Sequence, residues 1–351
     1  MPRLRRTDLS DPGIHRVPNG KGFAYELEDG IQVDEPEILD RIEELVIPPA
    51  WRDVWISPYP NGHLQAIGTD AAGRKQYRYH VEWRQHKDQE KFDDMLEFAG
   101  DLPALRDRLV QDIEATDRMT RERVLATAVR LLDRGFFRIG SEDYAVRNES
   151  YGLATMRKEH MQLSDRFVLF SYVAKSGKHQ VHGMIDPQLY EILGRLKRRR
   201  GGGPELLAFQ EGRRWRDIKS TDINAYLKEV TGADHSAKDF RTWNATALSA
   251  IALAVAGEVA GTKTGRKKAI NRAVKEVAHY LGNTPAVCRA SYIDPRVFDR
   301  YESGWILSAD VLEDLGDATE GELPTHRPRI HDAVLDLLTD AREGDALEKV
   351  A

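Results

Sequence analysis

Five polar side chains of this chain occur where packing alone would not place them. Arg241 lies near the start of the apolar stretch KDFRTWNATALSA (residues 238–250), and Arg138 lies between aromatic and aliphatic residues in FFRIG (residues 136–140). Lys175 lies in YVAKSGKHQ, and Asn283 and Tyr292 lie in LGNTPAVCRASYIDP. A guanidinium is rarely buried without a partner, so Arg241 is expected to bind either a buried carboxylate or the anion of a ligand.

Taken together, these side-chain types can transfer a phosphoryl group to tyrosine. Two guanidiniums can bind the non-bridging oxygens of one phosphate, and a lysine can protonate a leaving alkoxide. A phenol, whose pKa is ordinarily near 10, becomes a nucleophile when cations favour its ionised form. An amide adds a neutral hydrogen bond to the developing charge. Taken singly, each residue also has a structural interpretation, such as a helix-capping arginine, a solvated hairpin lysine or a half-buried core tyrosine.

No pattern in the sequence predicts a metal ion or a nucleotide cofactor. Clustered carboxylates suited to Mg²⁺ are missing, and GEVAGTKTG (residues 257–265) lacks the spacing of a P-loop. The single cysteine, Cys288, excludes a disulfide framework and a cysteine-rich zinc site within one chain. No apolar stretch reaches about 18 residues, and the first residues lack the apolar run of a secretory signal. We therefore expect a cytoplasmic protein that does not enter a membrane.

Two regions of different character must position these residues, which predicts an α+β fold. Residues 1 to about 85 contain short extended runs at 23–27, 31–33, 53–57 and 63–68, separated by Gly, Pro and Asn. Residues 83–98 have helical spacing, and Gly100 and Pro103 are expected to end that helix. The boundary is predicted near residue 90, between a β-rich domain (1–90) and a larger, mainly helical domain (91–351).

In the second region, helical spacing predicts helices at 121–134, 221–230, 239–255 and 265–281, and Gly135 is expected to cap the end of the first. Residues 166–173 and 178–185 alternate around Lys175-Ser176-Gly177, which predicts a β-hairpin with Lys175 at its tip. Nine residues of continuous helix would separate Asn283 and Tyr292 by about 13 Å along the axis. Gly282 and the pair Thr284-Pro285 therefore predict a bend that brings both side chains to one phosphate.

Charge is unevenly distributed along the chain. The net charge is −5, but residues 310–351 contain twelve acidic and four basic side chains and carry −8, so the remainder carries +3. A mildly basic body is compatible with a phosphate-binding face, although an ordinary enzyme with a solvated acidic tail would have the same charges. Helical spacing over residues 330–341 predicts that part of this tail folds.

The motifs quoted above strongly resemble those of type IB DNA topoisomerases, in particular the bacterial and poxvirus-like branch. FRIG, the lysine of a β-hairpin, KDFRTWNAT and a tyrosine nine residues after an Asn or His occur in the order of that family. GRKQYRYH (residues 73–80) also resembles its N-terminal DNA-contacting segment. The resemblance extends from about residue 45 to residue 300, and KDFRTWNAT is its most specific part.

The resemblance implies a monomeric, nucleoid-associated enzyme whose two domains clamp duplex DNA and relax supercoils without ATP or metal. Tyr292 would form a 3′-phosphotyrosyl intermediate, Arg138 and Arg241 would stabilise the transition state, and Lys175 would be the general acid. Asn283 stands where many relatives have histidine, so this group is expected to give no pH dependence. The DNA-contacting residues implied by the family are Arg74, Lys75, Gln76, Tyr77, Tyr79 and Tyr144.

Three alternatives remain at this point. Tyr77 and Tyr79 lie on one face of a strand, and that face could instead pack into the small domain. A tyrosine recombinase or integrase has similar chemistry, but its N-terminal domain is usually helical and its arginine box differs from KDFRT. A catalytically inactive DNA-binding relative is suggested by Asn283 and by the negative net charge. A covalent protein–DNA adduct would distinguish this last alternative from both enzymes.

Overall fold

The computed structural model describes residues 3–7, 11–257, 262–316, 323–341 and 345–350, without the side chain of Tyr144. The chain divides into two compact units, Met1–Phe92 and Asp93–Ala351. The first is rich in strands and the second is mainly helical. The predicted α+β fold is therefore confirmed.

The first unit contains an antiparallel sheet of five strands in the order β2-β1-β3-β4-β5. Its elements are β1 (Ile14–Asn19), β2 (Gly22–Leu27), α1 (Pro36–Glu44), β3 (Arg52–Ile56), β4 (Leu64–Thr69) and β5 (Lys75–Tyr79). Ile42 of α1 packs with Ile14, Val54 and Ile56 of the sheet, and all four side chains are buried. β5 is an edge strand, so only one of its sides pairs with a neighbouring strand.

Two expectations for the first part of the chain were wrong. Residues 31–33 form no strand: Gln32 makes one isolated bridge to Glu26, and Pro36 starts α1, which the turn-rich sequence did not predict. Helix α2 (Val81–Glu114) continues through both Gly100 and Pro103. Phe98, Ala99, Leu102 and Leu105 of this helix are almost fully buried. Their packing outweighs the roughly 3 kcal/mol that an interior proline costs a helix.

The second unit combines its helices with a three-stranded antiparallel sheet and two shorter pairs of strands. Up to residue 231 the elements are α3 (Arg121–Gly135), α4 (Glu142–Asn148), β6 (Met161–Ser164), β7 (Phe167–Val173), β8 (His179–Ile185), α5 (Pro187–Arg198), β9 (Ala208–Glu211), β10 (Arg214–Asp217) and α6 (Ser220–Thr231). They are followed by α7 (Ala237–Val255), α8 (Lys263–Leu281), α9 (Pro285–Ser291), α10 (Pro295–Glu302), β11 (Trp305–Leu307), α11 (Ala309–Glu313), α12 (Pro328–Thr339) and β12 (Leu347–Lys349). The predicted hairpin around Lys175 is the β7–β8 pair.

Helices α3 and α7 form the centre of this unit. Seven apolar side chains of α3 are completely buried or nearly so, and Phe240 and Trp243 of α7 are completely buried. Phe240 packs edge-to-face on Phe98 of α2, with ring centroids 4.8 Å apart. Each helix is therefore held on several sides, and side chains that project from them occupy well-defined positions.

The acidic C-terminal region is part of this fold wherever the structure describes it. Helix α12 confirms the helical spacing of residues 330–341, and β12 pairs with β11. His326, just before α12, lies 3.3 Å from the Asp133 carboxylate of α3, and Thr325 donates to the amide oxygen of Asn244 of α7 at 3.1 Å. The described part of this region thus packs against both central helices.

Candidate active site

Arg241 links the ends of two other helices. It projects from the second turn of α7 and is only 4% exposed. Nη1 donates to the carbonyl oxygen of Phe136, at the end of α3, and Nη2 donates to that of Leu281, the last residue of α8, at 2.8 Å. No carboxylate among the described residues pairs with Arg241. Its Nε has no partner, so donors remain for an anion.

Arg138 and Asn283 are in direct contact. Arg138 follows the left-handed C-cap of α3, which is Phe136 (φ 56°) and not the predicted Gly135. Gly135 remains helical, and a Cβ there would lie 2.2 Å from the ring of Phe137. Nη2 of Arg138 donates to Oδ1 of Asn283, and Nδ2 of Asn283 is buried without a hydrogen-bond partner. The amide therefore presents its NH₂ group as a free donor beside a guanidinium.

The predicted bend between Asn283 and Tyr292 is confirmed. Helix α8 ends at Leu281, Gly282 adopts φ 63°, and Thr284 caps the new helix α9 by accepting from the N–H of Val287. Tyr292 is the C-cap of α9, and its backbone is not helical (φ −130°, ψ −24°). The guanidinium carbon of Arg241 lies 5.2 Å from the centroid of the Tyr292 ring. The bend at Gly282 and the short helix α9 thus bring Tyr292 to Arg241.

Nearby positive charges act on the phenol of Tyr292. Burial alone would raise the pKa of this phenol, but interaction with Arg241, and more weakly with Arg138 and Lys238, outweighs burial and lowers it below the usual value of 10.0. Burial has the opposite effect on a cation: together with the nearby charge of Arg138, it lowers the pKa of Arg241 from its usual value of 12.5. A tyrosine among cations in a half-buried site can ionise more readily than one in water.

Lys175 stands apart from the other four residues. It is exposed at the tip of the β7–β8 hairpin, where Ser176 and Gly177 both have positive φ. Among the described residues it makes no hydrogen bond or ion pair. The strands below it do reach the site, because Gln180 of β8 packs against Gly282, where a Cβ would lie 2.6 Å from the Gln180 amide oxygen. The structure therefore joins four of the five residues and leaves Lys175 on a neighbouring hairpin.

Two side chains of the same hairpin face the arginines and were missed from the sequence. Burial raises the pKa of Tyr172 to about 12, against the opposing charges of Arg241 and Arg138. Burial and the charge of Arg241 lower the pKa of His182 to about 4. Strand alternation predicts the face on which they lie, but only tertiary packing brings that face to Arg241. His182 also lines a cleft of about 780 Å³ that extends to Asn283.

The residues expected to contact DNA in the first unit lie on or beside the edge strand β5. Tyr77 and Tyr79 are 46% and 40% exposed, and their rings stack with centroids 6.1 Å apart. They do not pack into the domain. Arg74 and Gln76 both bind the carboxylate of Asp70, whereas Lys75 makes no ion pair with a described residue. Tyr144 lies on α4, and its side chain is outside the described part of the structure.

The described residues contain neither a candidate metal site nor a candidate membrane span. No group of three or more His, Cys, Asp or Glu side chains in the described ranges could hold a metal ion. Within those same ranges, every helix is too short or too polar to cross a bilayer.

Comparison with known proteins gives the family. Residues 80–304 match the family described as "Eukaryotic DNA topoisomerase I, catalytic core", and residues 22–70 match "Bacterial DNA topoisomerase IB, N-terminal domain". DNA topoisomerase 1B of Acanthamoeba polyphaga mimivirus is 31% identical over 302 residues, which cover 83% of this chain and 88% of the viral protein. The chain belongs to the type IB DNA topoisomerases. More distant relatives are vaccinia virus (strain Copenhagen) DNA topoisomerase 1B, 23% identical over 66% of this chain and 71% of the viral protein, and monkeypox virus DNA topoisomerase I, 22% identical with the same coverage.

As a type IB topoisomerase, the chain is an isomerase whose substrate class is DNA. The match to the catalytic core includes Arg138, Lys175, Arg241, Asn283 and Tyr292. The segment from Arg74 to Tyr79 lies between the two matched regions, and the residues after 304 lie beyond both. The recombinase alternative is set aside, because the matches and the β-rich first unit both agree with a topoisomerase.

The motif KDFRTWNAT of this topoisomerase does more than carry Arg241. Asn244 donates from Nδ2 to the carbonyl oxygen of Asp133 at 3.0 Å, which ties α7 to α3. Thr246 is completely buried, and its hydroxyl contacts the backbone on both sides of Ile293. Neither residue is among the candidates predicted from the sequence. The available signal was the pair of polar side chains at 244 and 246 in the middle of a helix that is otherwise mostly buried.

Proposed function

We propose that this topoisomerase relaxes supercoiled duplex DNA by cutting and resealing one strand through Tyr292. The ionised phenol oxygen attacks phosphorus, the bond from phosphorus to the 5′ oxygen breaks, and a 3′-phosphotyrosyl bond forms. The 5′ oxygen leaves with the bonding electron pair and takes a proton from Lys175. After the cut strand has rotated, the 5′-hydroxyl attacks phosphorus and reverses both transfers. ATP is not required, since each step exchanges one phosphodiester for another.

The observation that carries this proposal is the environment of Arg241. Burying a guanidinium without a carboxylate is costly unless another anion is bound there during function. Two helix-end carbonyls orient Arg241, and the ring of Tyr292 lies 5.2 Å from it. A phosphate at this position would accept hydrogen bonds from Arg241 and Arg138. Both carry a positively charged guanidinium whose paired N–H groups match the spacing of phosphate oxygens.

Asn283 would supply a neutral donor to the same phosphate. Its Oδ1 already accepts from Arg138, so only the NH₂ group is free, and that group is buried without a partner. A donor held in place before the reaction stabilises the charge that develops on phosphate oxygens. Because an amide does not titrate, we expect no pH dependence from this position.

Lys175 is the general acid of the proposal, and its support comes from the chemistry and the family motif. Lys175 lies at the hairpin tip, and its ammonium is exposed and has no ion-pair partner in the described structure. An unpaired ammonium can approach the leaving oxygen when DNA binds. Hydrogen bonds of catalytic groups often form only in the complex with substrate.

The first unit would add DNA contacts through the exposed side of β5. Lys75 is free to bind a phosphate, and Tyr77 and Tyr79 offer stacked aromatic faces to a groove or backbone. Arg74 and Gln76 would add contacts after release from Asp70, and Tyr144 is proposed on family resemblance alone. Four of the proposed catalytic residues meet within one copy of the chain, so we propose that the enzyme acts as a monomer, on DNA of the cytoplasmic nucleoid.

Plasmid relaxation in EDTA without ATP tests the proposed function. Wild-type protein is expected to convert supercoiled plasmid into a ladder of topoisomers, and Tyr292→Phe is expected to abolish the ladder. Tyr190→Phe on α5 is the matched control, because its hydroxyl has no hydrogen-bond partner in the described structure. Detergent quenching should trap a covalent adduct with wild type and with the control.

Two results would contradict this proposal. An adduct without relaxation would indicate strand transfer of the recombinase type. Plasmid binding without an adduct would indicate an inactive DNA-binding protein.

A further inference from the structure

The backbone that carries Tyr292 is only partly fixed by its own helix. The N–H groups of Tyr292 and Ile293 both donate to the carbonyl of Cys288, at 3.0 and 3.2 Å, and these bonds end α9. Its carbonyl lies beyond that helix, whose regular part is seven residues long. Since φ and ψ of Tyr292 are not helical, α9 offers no donor to this carbonyl, and a group outside the helix that binds it would further restrict the direction of the side chain.

Thr246 of α7 is the group that holds it. The Thr246 side chain is completely buried. Its hydroxyl donates to the carbonyl oxygen of Tyr292 at 3.3 Å and accepts from the N–H of Asp294 at 3.0 Å. The Sδ atom of Met95 lies 3.5 Å away, but a sulfur is the weaker acceptor and the hydroxyl has one proton. One hydroxyl therefore binds both backbone groups that flank Ile293.

Helix α7 also carries Arg241, so the same helix contacts both the ring and the backbone carbonyl of Tyr292. Thr246 follows Arg241 by five positions, which is about 7.5 Å along the axis of α7. The guanidinium faces the phenol ring, and the threonine hydroxyl holds the carbonyl. On the far side, the buried carboxylate of Asp294 accepts from the N–H of Arg296 at 2.9 Å and fixes the start of α10.

We propose that Thr246 is a positioning residue that sets the direction of the Tyr292 side chain for attack on DNA. This inference rests on the proposed function of Tyr292 as the nucleophile. Attack requires the phenol oxygen in line with the leaving oxygen, and a misplacement of about 1 Å can cost about a hundredfold in rate. Loss of the Thr246 hydroxyl frees the carbonyl of Tyr292 and so loosens this alignment.

The test compares Thr246→Val, which keeps the shape but removes the hydroxyl, with Thr246→Ser, which keeps the hydroxyl. Thr127→Val is the matched control: Thr127 on α3 is equally buried, but its hydroxyl donates only to its own helix, at the carbonyl of Arg123. Enzyme in saturating excess is mixed with supercoiled plasmid and quenched with detergent over time. The rate and the final level of nicked circles are measured.

A positioning role gives a specific result. With Thr246→Val the rate is expected to fall between about tenfold and a hundredfold, while the final level stays the same, because cleavage and resealing use the same alignment. Thr246→Ser is expected to remain within about threefold of wild type, and Thr127→Val to match it. If valine prevents folding, Thr246→Ala removes the hydroxyl without added volume and is measured in the same way.

Other outcomes overturn the inference. An unchanged rate together with a lower melting temperature would mean that Thr246 only stabilises the fold. A changed final level of nicked circles with an unchanged rate of resealing would mean that Thr246 affects cleavage alone, and not an alignment that both reactions share. Tyr292→Phe run in parallel separates the two proposals: an adduct in that variant would refute the nucleophile itself.

Discussion

Arg138 donates from Nη2 to Oδ1 of Asn283, and this contact leaves the NH₂ group of the amide free to donate. The two residues are 145 positions apart in the sequence. The contact explains how a neutral side chain can accept from Arg138 and still keep a donor free. A protonated imidazole could not accept from Arg138, whereas the amide accepts with its oxygen and donates with its nitrogen.

Asn283→Asp should therefore harm activity more than Asn283→Ala. An aspartate would pair with Arg138, take its charge away from the phosphate and remove the free N–H donor. We expect the cleavage rate of the aspartate variant to fall by at least about a hundredfold, since loss of one oriented donor alone costs about that much. Detergent-trapped nicking of plasmid measures the rate. Asn271→Asp, an exposed position on α8, is the control and should behave as wild type. Equal rates for Asn283→Asp and wild type would remove Asn283 from the site.

Two tyrosines close to the same arginines should titrate in opposite directions. Burial raises the pKa of Tyr172 to about 12, and positive charge lowers that of Tyr292 below 10.0 in spite of burial. Ultraviolet difference titration of wild type against Tyr292→Phe should show one phenol that ionises below its ordinary pH. The difference between wild type and Tyr172→Phe should show a second phenol, that of Tyr172, which ionises near pH 12.

The same titration tests the cause of the Tyr292 shift. Arg138→Gln removes one of the charges that favour the phenolate, so the pKa of Tyr292 should rise toward 10. Because a higher pKa leaves less phenolate at a given pH, the pH–rate curve for adduct formation should move to higher pH in this variant. A phenol that titrates at the same pH in both proteins would contradict the electrostatic explanation.

Lys75 should contribute to DNA affinity through one phosphate. It is exposed and unpaired among the described residues, whereas Arg74 is held by Asp70 at 2.8 Å. In a Tyr292→Phe background, which prevents cleavage, Lys75→Gln should reduce the slope of log affinity against log salt by about 0.9. The exposed Lys21, in the turn between β1 and β2, provides Lys21→Gln as the control. An unchanged slope for Lys75→Gln would exclude it from the DNA interface.

Asp133 should be a main electrostatic contributor to the stability of the second unit. Its carboxylate accepts from Arg106 at 2.9 and 3.0 Å and lies 3.3 Å from His326. Burial acts to raise the pKa of Asp133, but His326 and Arg106 outweigh it and hold the pKa well below 3.8. Asp133→Asn leaves the partly buried Arg106 without its counter-charge and should lower the free energy of unfolding by about 3 kcal/mol at pH 7, the low end for a broken buried pair.

The pH dependence of that loss follows from the direction of the shift. Because the pKa of Asp133 is depressed in the folded state, its contribution is complete above the unfolded pKa near 4 and is lost as pH falls below it. Urea unfolding of both proteins should give a larger difference at pH 5 than below pH 4. Glu276→Gln, which breaks the exposed pair with Arg272, should cost less than about 1 kcal/mol. An equal cost for the two variants would contradict the role of burial.

Much of the fold could be predicted because hydrophobic periodicity is a local property. The β7–β8 hairpin, α7, α8 and the bend after Gly282 all follow from spacing and turn residues, and the structure contains each of them. The predictions were wrong where packing outweighs local preference. Helix α2 passes through Pro103, since its apolar side is buried, and the left-handed C-cap of α3 is Phe136, while Gly135 stays helical in close contact with the ring of Phe137.

The sequence by itself determined the chemical inventory of the site, since residue types and order do not depend on folding. Arg138, Lys175, Arg241, Asn283 and Tyr292 can be read from it, with the chemistry they allow. Only the tertiary structure decided which of them meet. Arg241 reaches the ends of α3 and α8, Thr246 reaches the backbone of Tyr292, and Tyr172 faces the arginines. Such contacts join positions 40 to more than 100 residues apart, and they depend on how whole helices pack, which no local pattern specifies.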